Sequence, residues 1–312
     1  MRALNLLSVV APAYNERENI EVFCTRVREA LGPLGCDWEI ILVDDGSTDG
    51  SEDVLRLLHA GDSRIKALRL SRNFGHEPAC TAGLEAARGD AVVLLDADLQ
   101  DPPELIPELV AAWRDGAEVV GAVRASREGE GALKRGLAFS FYRVMNWLTR
   151  WEFPKDAGNY RLIDRKVLDA FLACGERARL VRALTAWTGF RQATVEFDRP
   201  PRLHGHTKYN WVRMISLGLT AVTTYTNDPL RIASLIGLVI TPTAFLAGLI
   251  LLLAALVGYS VSLGAFALVS VWFVGGLQCL LLGIIGEYLG KVAIEARRRP
   301  LYFVSERVGI ER

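Results

Sequence analysis

The sequence has no excess of charge of either sign. Its 36 Lys and Arg residues balance its 36 Asp and Glu residues, so there is no bulk electrostatic bias toward nucleic acid. The five cysteines have no paired spacing, which indicates neither a zinc site nor a disulfide framework and makes a reducing compartment the simplest interpretation. No secretory signal is expected, because the first apolar stretch is short and is closed by Pro12.

One long stretch, between Arg231 and Glu287, has no charged residue at all. One bilayer crossing takes about 20 apolar residues, so the stretch predicts a transmembrane hairpin within residues 232–290, with helices near 232–257 and 263–285. A buried soluble hairpin is the alternative. Lys and Arg lie before the first helix and after the second but not in the connecting loop. Both termini are therefore expected in the cytoplasm, with the hairpin in a bacterial inner membrane.

Upstream of this stretch, short apolar runs alternate with helical patterns. The runs predict strands at 6–12, 39–44, 65–70, 91–96 and 118–123, and the patterns between them predict helices at 19–31, 49–59, 77–87 and 103–114. Such alternation is typical of an α/β domain with a mainly parallel, covered sheet. Ligands of these sheets bind beyond the carboxyl ends of the strands.

The fourth predicted strand ends in a run of acidic and amide side chains, which contains Asp96, Asp98, Gln100 and Asp101. Alternate residues at a strand end point the same way, and Mg²⁺ or Mn²⁺ prefers a few carboxylates together with phosphate oxygens. The run therefore predicts a site for a divalent cation and a diphosphate. The alternative is a solvated acidic turn before a helix.

Several motifs occur in a fixed order along the chain. They are Pro-Ala-Tyr-Asn-Glu at 12–16, Val-Asp-Asp-Gly-Ser-Thr-Asp at 43–49, Ser-Arg-Asn-Phe-Gly-His at 71–76, Leu-Asp-Ala-Asp-Leu-Gln-Asp-Pro-Pro at 95–103, Asp-Ala-Gly-Asn-Tyr-Arg at 156–161 and Gly-His-Thr-Lys-Tyr at 205–209. Together they resemble the family 2 inverting glycosyltransferases with a GT-A fold. Within that family the chain is most similar to the polyprenyl-phosphate glycosyltransferases, and the likeness runs nearly end to end.

The resemblance implies a GT-A domain over residues 1–210 that binds a nucleotide sugar. Stacking and carboxylate hydrogen bonds from Tyr14, Glu16 and Asp45 would hold the base and ribose. Asp98 and Gln100 are expected to bind the metal directly. Asp96 is expected either to contact the nucleotide or to lie behind the direct metal ligands. The remaining residues expected to contact the donor are Pro12, Asn73 and His76. For His76, capping of the next helix is an equal alternative.

The acceptor side needs cations more than a strong base, because a phosphate monoester with a second pKa near 6 is largely a dianion at neutral pH. Arg161, Arg202 and Lys208 are the candidate phosphate ligands, and Arg is the better bidentate partner. The resemblance makes Asp156 a catalytic candidate together with Asp98 and Arg161. Asp156 acts either as a base or by orienting Arg161 or the sugar.

A lipid acceptor also requires access from the bilayer. Residues 131–151 and 211–231 combine cations with aromatic and apolar side chains, a pattern typical of helices in the membrane interface. Core helices of the soluble domain are the alternative. Residues 291–312 are expected to form a cytoplasmic tail.

The expected activity is transfer of one hexose, with glucose as the leading candidate, from a nucleotide sugar to undecaprenyl or another polyprenyl phosphate. Two departures from the family motifs, Asn159 with Tyr160 and His206 with Thr207, leave the sugar open, so GDP-mannose and UDP-aminosugars stay as alternative donors. A lipid-hydroxyl acceptor and a non-catalytic nucleotide-sugar sensor are the other hypotheses. A polymer synthase is disfavoured by the absence of Gln-x-x-Arg-Trp, and a transporter by spans that lack ionisable residues. The sequence leaves a homo-oligomer open.

Overall fold

A computed structural model describes residues 2–124, 157–176, 179–197, 257 and 263–311 of the chain. Several predicted features lie outside these residues, namely Asp156, Arg202, Lys208, the helices at 131–151 and 211–231, and nearly all of the first predicted span. The chain divides into two compact units. The first comprises Met1–Tyr142, Glu152–Thr207 and Arg299–Arg312, and the second comprises Arg143–Trp151 and Lys208–Arg298.

The first unit is built on an eight-stranded sheet. Its strands are β1 (Leu6–Ala13), β2 (Asp37–Asp44), β3 (Ile65–Leu70), β4 (Ala91–Leu94), β5 (Val119–Arg124), β6 (Ala157–Asp164), β7 (Gln192–Phe197) and β8 (Val304–Val308). Their spatial order is β7-β5-β6-β4-β1-β2-β3-β8. β6 and β8 run antiparallel to their neighbours and the other pairings are parallel. This confirms the prediction of a mainly parallel α/β sheet.

The helices of this unit cover both faces of the sheet. They are α1 (Arg17–Leu31), α2 (Ser51–Gly61), α3 (His76–Ala86), α4 (Ile106–Arg114), α5 (Arg165–Ala173) and α6 (Val181–Trp187), with short 3-10 turns at Gly32–Leu34 and Pro103–Leu105. The five strands and four helices expected upstream of the membrane stretch are confirmed, with ends displaced by a few residues. β4 ends at Leu94, two residues before its predicted end, and leaves Asp96 in the following loop.

The central strands are almost continuously apolar because both of their faces are buried. In β1 every residue after Leu6 is buried. On one face, Leu7 and Val9 pack with Phe23 and Val27 of α1 in the main hydrophobic cluster. On the other face, α3 approaches so closely that a Cβ on Gly83 would lie 2.3 Å from Val10 Cγ1. Helices pack closely on both faces of β1 and so hold this strand in position. The polar side chains of the candidate site follow the carboxyl ends of this strand and its neighbours.

The carboxyl-terminal residues belong to this sheet as well. β8 pairs antiparallel with β3, with Ala67 opposite Val308 and Arg69 opposite Glu306. The segment expected to be a tail therefore supplies an edge strand of the sheet in the first unit.

In the second unit the structure describes one long helix, α7 (Leu263–Ala296). The second predicted span, residues 263–285, lies within it. Among the described residues, no helix combines the length and the apolar character needed to cross a membrane.

Candidate functional site

Polar side chains collect at the carboxyl edge of the sheet in the first unit. They follow β1, β2, β3 and β4, and because β6 runs the opposite way, its first residues lie at the same edge. The structure thus brings Tyr14, Glu16, Asp45, Asn73, His76, Asp96, Asp98 and Gln100 to one edge, as the sequence predicted. Pro12 is buried within β1, next to this group.

Asp45 organises the loop between β3 and α3, residues 71–75, called here the β3–α3 loop. Its Oδ1 accepts a hydrogen bond of 2.7 Å from the amide of Phe74, and its Oδ2 accepts one of 2.9 Å from the amide of Gly75. Asp45 is only 4% exposed. Burial raises the pKa of its carboxyl above the usual value even though the two amides act in the opposite direction. Both oxygens of the buried Asp45 carboxylate therefore accept hydrogen bonds that hold the β3–α3 loop in place.

Gly46 allows the β3–α3 loop to come this close. Its φ is 71°, and a Cβ on it would lie 2.5 Å from the carbonyl carbon of Arg72 and 2.7 Å from the amide nitrogen of Asn73. Both the left-handed backbone and the contact with another main chain require glycine here.

The loops after β1 and β2 are joined by side-chain to backbone hydrogen bonds. The Asn15 amide donates to Ser47 Oγ at 2.9 Å, and the Thr48 amide donates to Asn15 Oδ1 at 2.9 Å. Asn15 has a φ of 56°, which asparagine tolerates better than most residues. The neighbouring Tyr14 side chain remains 43% exposed. An exposed ring on a fixed turn suits stacking against a base, the role predicted for Tyr14.

Glu16 lies at the start of α1 and is partly buried. Its Oε2 accepts a hydrogen bond of 2.5 Å from Asn19 Nδ2. This bond holds the carboxylate near the first turn of the helix, beside the loop that carries Tyr14.

The acidic run after β4 forms a tight turn. Asp98 Oδ1 accepts a 3.1 Å hydrogen bond from the Gln100 amide, and Leu99 between them has a φ of 60°. A left-handed leucine is unfavourable by about 1–2 kcal/mol. The Leu99 side chain is 7% exposed and belongs to the main hydrophobic cluster. Its burial offsets the cost of the left-handed backbone. Backbone strain of this kind concentrates at functional sites, so the turn is a feature of the candidate site.

The donor set of this turn fits a divalent cation in part. Asp96, Asp98 and Gln100 offer two carboxylates and an amide oxygen, which are hard ligands of the type that Mg²⁺ and Mn²⁺ prefer. Among the described residues no group of three or more His, Cys, Asp and Glu side chains could hold a metal ion. The turn therefore offers oxygen atoms of the type that such cations prefer.

His76 connects the β3–α3 loop to both β4 and β6. It is the first residue of α3, and its Nε2 lies 3.6 Å from Asp96 Oδ1 and 2.6 Å from Asn159 Nδ2. The sulfur of Cys80 is 3.4 Å from the same nitrogen. His76 thus lies close to side chains of the loop after β4, of β6 and of its own helix, and no helix-capping hydrogen bond from a side chain is present at the start of α3.

Arg161 is buried inside the sheet. It is 2% exposed, and its Nη1 donates a 2.9 Å hydrogen bond to Thr185 Oγ1 of α6. Burial lowers the pKa of its guanidinium to about 10, and the nearby charge of Arg182 acts in the same direction. Its roles as a catalytic residue and as an acceptor-phosphate ligand stay predictions, as do those of Asp156, Arg202 and Lys208 outside the described residues.

Some residues at this edge were not among the predicted site residues. Ser47 and Asn15 hold the loops together, and Asn159 contacts His76. Phe303 reaches the β3–α3 loop from the carboxyl-terminal segment: its carbonyl accepts a 2.8 Å hydrogen bond from the Ser71 amide. Burial alternates along Val304–Val308, as in a strand, but the residue types do not, because the three residues between the two valines are all polar. The sequence therefore carries no strand signal of period two for this segment.

Comparisons with known proteins bear on the whole chain. Residues 8–172 match the family model described as glycosyl transferase family 2. The uncharacterized glycosyltransferase YkcC of Bacillus subtilis (strain 168) is 42% identical over 305 residues, 97% of this chain and 94% of the relative. The bactoprenol glucosyl transferase of Shigella phage SfV is 37% identical over 300 residues, 96% of this chain and 98% of the relative.

Among solved structures, the glucosyl-3-phosphoglycerate synthase of Mycobacterium tuberculosis in complex with Mn²⁺, UDP and glucosyl-3-phosphoglycerate has a TM-score of 0.45 and 21% identity, and covers 70% of this chain and 78% of that one. A likeness at this level says nothing about ligands.

The family model covers more than half of the chain, including β1 to β6, and the relatives extend the match to nearly the full length. The acidic turn after β4 and the loops after β1, β2 and β3 all lie inside the matched region. The protein is therefore an enzyme of glycosyl transferase family 2, as its motifs predicted.

Proposed function

We propose that this protein transfers one hexose, with glucose as the leading candidate, from a nucleotide diphosphate sugar to a polyprenyl phosphate, with inversion and with help from a divalent metal. The observation that carries the proposal is the 37% identity with a bactoprenol glucosyl transferase over 96% of this chain and 98% of the relative. The match includes the carboxyl-terminal half, beyond the family model that ends at residue 172. A shared acceptor class is the simplest reason for likeness in that half.

The donor side of the proposal rests on the carboxyl edge of the sheet. Tyr14 offers an exposed ring for the base, and Glu16 offers a carboxylate close by for a hydroxyl or an N–H group. Asp45 acts through the β3–α3 loop, because both of its oxygens already accept loop amides. Each oxygen keeps a further lone pair for the donor.

The acidic turn after β4 would hold the metal through Asp98 and Gln100, with Asp96 beside them. When bound, a divalent cation supplies charge neutralisation for the departing diphosphate. The chain's own contribution is to fix the turn: Gln100 and Asp101 are each 6% exposed, and Leu99 is packed in the core. A preorganised turn avoids reorganisation when negative charge develops on the leaving group.

The acceptor is already a nucleophile. At neutral pH a phosphate monoester is largely a dianion, so an acceptor oxygen can attack the anomeric carbon of the sugar without losing a proton. The new bond joins that carbon to the phosphate oxygen while the bond to the donor diphosphate breaks and the nucleoside diphosphate departs. Attack from the opposite face inverts the configuration. Positioning then dominates the rate, and Asp156, Arg161, Arg202 and Lys208 are the proposed positioning and charge-stabilising residues.

The proposed setting is the cytoplasmic face of a bacterial inner membrane, with a hairpin within residues 232–290 and both termini inside. It is supported by the charge-free stretch between Arg231 and Glu287 and by the cations on either side of it. On α7 the apolar side chains of Val271, Val274 and Ile285 are exposed. Exposed apolar side chains in number mark a surface that contacts lipid or protein.

The experiment that tests the proposal is product formation by the purified full-length protein with undecaprenyl phosphate, across a panel of UDP and GDP sugars, with Mg²⁺ or Mn²⁺. Lipid-linked glucose formed from UDP-glucose, and lost on addition of a chelator, is the expected result. Product from GDP-mannose or a UDP-aminosugar instead would replace the donor but keep the reaction class. Silence across the panel, in folded protein that binds nucleotide, would contradict the proposal and favour a sensor.

A second measurement separates phosphate from hydroxyl acceptors. A hydroxyl must lose a proton to react, so a lipid-hydroxyl transferase requires a true base. Turnover of Asp156→Asn that stays near the wild-type level at neutral pH is expected if Asp156 only orients neighbouring groups. Loss of turnover that is restored at higher pH would assign Asp156 as the base.

A further inference from the structure

The carboxyl-terminal segment, residues 302–308, holds the β3–α3 loop from outside. It consists of Tyr302, Phe303 and strand β8. The Ser71 amide donates a 2.8 Å hydrogen bond to the Phe303 carbonyl. The Phe303 ring lies 6.2 Å from the Phe74 ring at an interplanar angle of 51°, and the Arg72 guanidinium lies 4.6 Å from the centre of the Phe74 ring. Aromatic and cation–π contacts of this geometry are favourable.

The segment is itself held firmly along its length. Glu306 accepts two hydrogen bonds from Arg56 of α2, at 2.9 and 2.8 Å, and Ser305 Oγ donates to the Arg69 carbonyl at 3.1 Å. The Tyr302 hydroxyl donates to Glu85 of α3. Burial, followed by that hydrogen bond, raises the pKa of Tyr302 well above its usual value. Tyr302 therefore stays protonated and keeps donating at any physiological pH.

The inner side of the same loop is bound by Asp45, which accepts the amides of Phe74 and Gly75. Phe74 is thus contacted from both sides, by a carboxylate through its amide and by Phe303 through its ring. The loop ends at His76, whose Nε2 lies near Asp96. A displacement of residues 71–75 would move Asn73 and His76, both predicted donor contacts, relative to the acidic turn.

We infer that Phe303 is a positioning residue for the donor site, acting through Phe74 to fix the β3–α3 loop. Phe303 is 57% exposed, so it adds little to the buried core, and both its ring and its carbonyl contact this loop. The carboxyl-terminal segment thereby completes the donor side of the site, whose other proposed residues all precede residue 101. The effect on donor binding rests on the proposed function, whereas the effect on the loop does not.

The direct test is hydrogen exchange of the amides of residues 71–75, measured on the full-length protein without substrate. Phe303→Ala should speed exchange of the Phe74 and Gly75 amides by about threefold to tenfold, as expected for loss of one aromatic pair. Phe303→Tyr should restore the wild-type rate. Leu57→Ala is the matched control, because it removes an apolar side chain that is 73% exposed and lies on α2. It should leave exchange unchanged.

Unchanged exchange in Phe303→Ala would overturn the inference, and so would equal acceleration in Leu57→Ala. If Phe303→Ala fails to fold, Phe303→Leu keeps apolar volume but removes the ring and is expected to show the same acceleration. With an active enzyme, the KM for the nucleotide sugar should rise in Phe303→Ala while kcat stays the same. Absence of any transfer would contradict the proposed function but leave the exchange result standing.

Discussion

At the amino edge of the sheet the buried carboxylate of Glu39 has the Lys66 ammonium beside it, whereas at the carboxyl edge the buried carboxylate of Asp45 accepts hydrogen bonds from two backbone amides. Glu39 accepts hydrogen bonds from Lys66 Nζ at 2.7 Å, Ser8 Oγ at 2.6 Å and the Arg88 amide at 2.8 Å. Burial alone would raise the pKa of Glu39, but these three partners hold it below its usual value. For Asp45, burial prevails and the pKa is raised.

The difference separates a structural edge from a candidate ligand edge. At the amino edge the protein satisfies its own charge, which leaves nothing for a ligand to add. At the carboxyl edge it collects Asp45, Asp96 and Asp98 with a loop held by hydrogen bonds and with strained turns at Asn15 and Leu99. A buried carboxylate whose pKa is raised, such as Asp45, can be stabilised by a cationic or hydrogen-bonding ligand, whereas Glu39 already has its partners within the protein.

The largest expected effect is at the carboxyl edge. Asp98→Ala should lower the transfer rate by about 10²- to 10³-fold, as for loss of one preorganised group that stabilises developing charge. The thermal midpoint should change little, since Asp98 is only partly buried. Glu104→Ala is the control, because Glu104 is nearby in the chain but pairs with Arg26 on the surface. Equal losses of rate in both variants would contradict a metal role for Asp98.

The next largest effect is expected at the amino edge. Lys66→Met leaves the Glu39 carboxylate buried without its cation and should lower the free energy of unfolding by about 3 kcal/mol. Arg26→Met breaks the exposed pair with Glu104 and should cost less than about 1 kcal/mol. Urea titration measures both. Nucleotide binding should be unaffected by Lys66→Met in the folded protein, and a loss of binding would remove the distinction between the two edges.

Gly46→Ala should perturb the carboxyl edge through the backbone. Alanine at a φ of 71° is strained and its Cβ would meet the main chain of Arg72, so a loss of about 2 kcal/mol in the free energy of unfolding is expected together with weaker nucleotide binding. Gly32→Ala is the control, since its Cβ would meet nothing within 4 Å. That change should be neutral or slightly stabilising. A Gly46→Ala protein with wild-type nucleotide affinity would show that the loop position is not critical.

The smallest effect is a difference in titration, measured by carboxyl-carbon NMR shifts. Glu39 should titrate below its usual value of 4.5 and Asp45 above its usual value of 3.8. Glu39 then adds stability that is fully present above pH 4.5 and is lost as the pH falls through its folded-state pKa. Asp45 has the opposite sign: its contribution is fully present below pH 3.8 and is lost as the pH rises through its folded-state pKa. Titration of Asp45 below 3.8 would remove the contrast.

Much of the carboxyl edge could be predicted because it depends on local patterns. Apolar runs bounded by helical patterns identify β1 to β5, and parallel strands place their carboxyl ends together. Tyr14, Asp45, Asp96 and Asp98 follow those strands directly, so their meeting requires only the order of the elements. The motifs also identified the family, because their polar residues lie at those strand ends.

Other parts could not be predicted, because they depend on partners far away in the chain. β6 contains all but the first residue of the motif at 156–161 and was not predicted as a strand. Its insertion between β4 and β5 buries Arg161, a residue type that is normally exposed. β8 is short and carries charges, and it pairs with β3 across more than half of the chain. Because it lies near the carboxyl terminus, it was included in the tail predicted for residues 291–312.

The sequence by itself determined the α/β class, the four polar loops at the strand ends and membership of glycosyl transferase family 2, because each depends on periodicity and residue types within short windows. Only the tertiary structure decided that Asp45 binds the amides of Phe74 and Gly75, that Arg161 is enclosed beside Thr185, and that Phe303 returns to the β3–α3 loop. These contacts join residues that are distant in sequence. Their formation depends on close packing of the whole sheet, which no local pattern encodes.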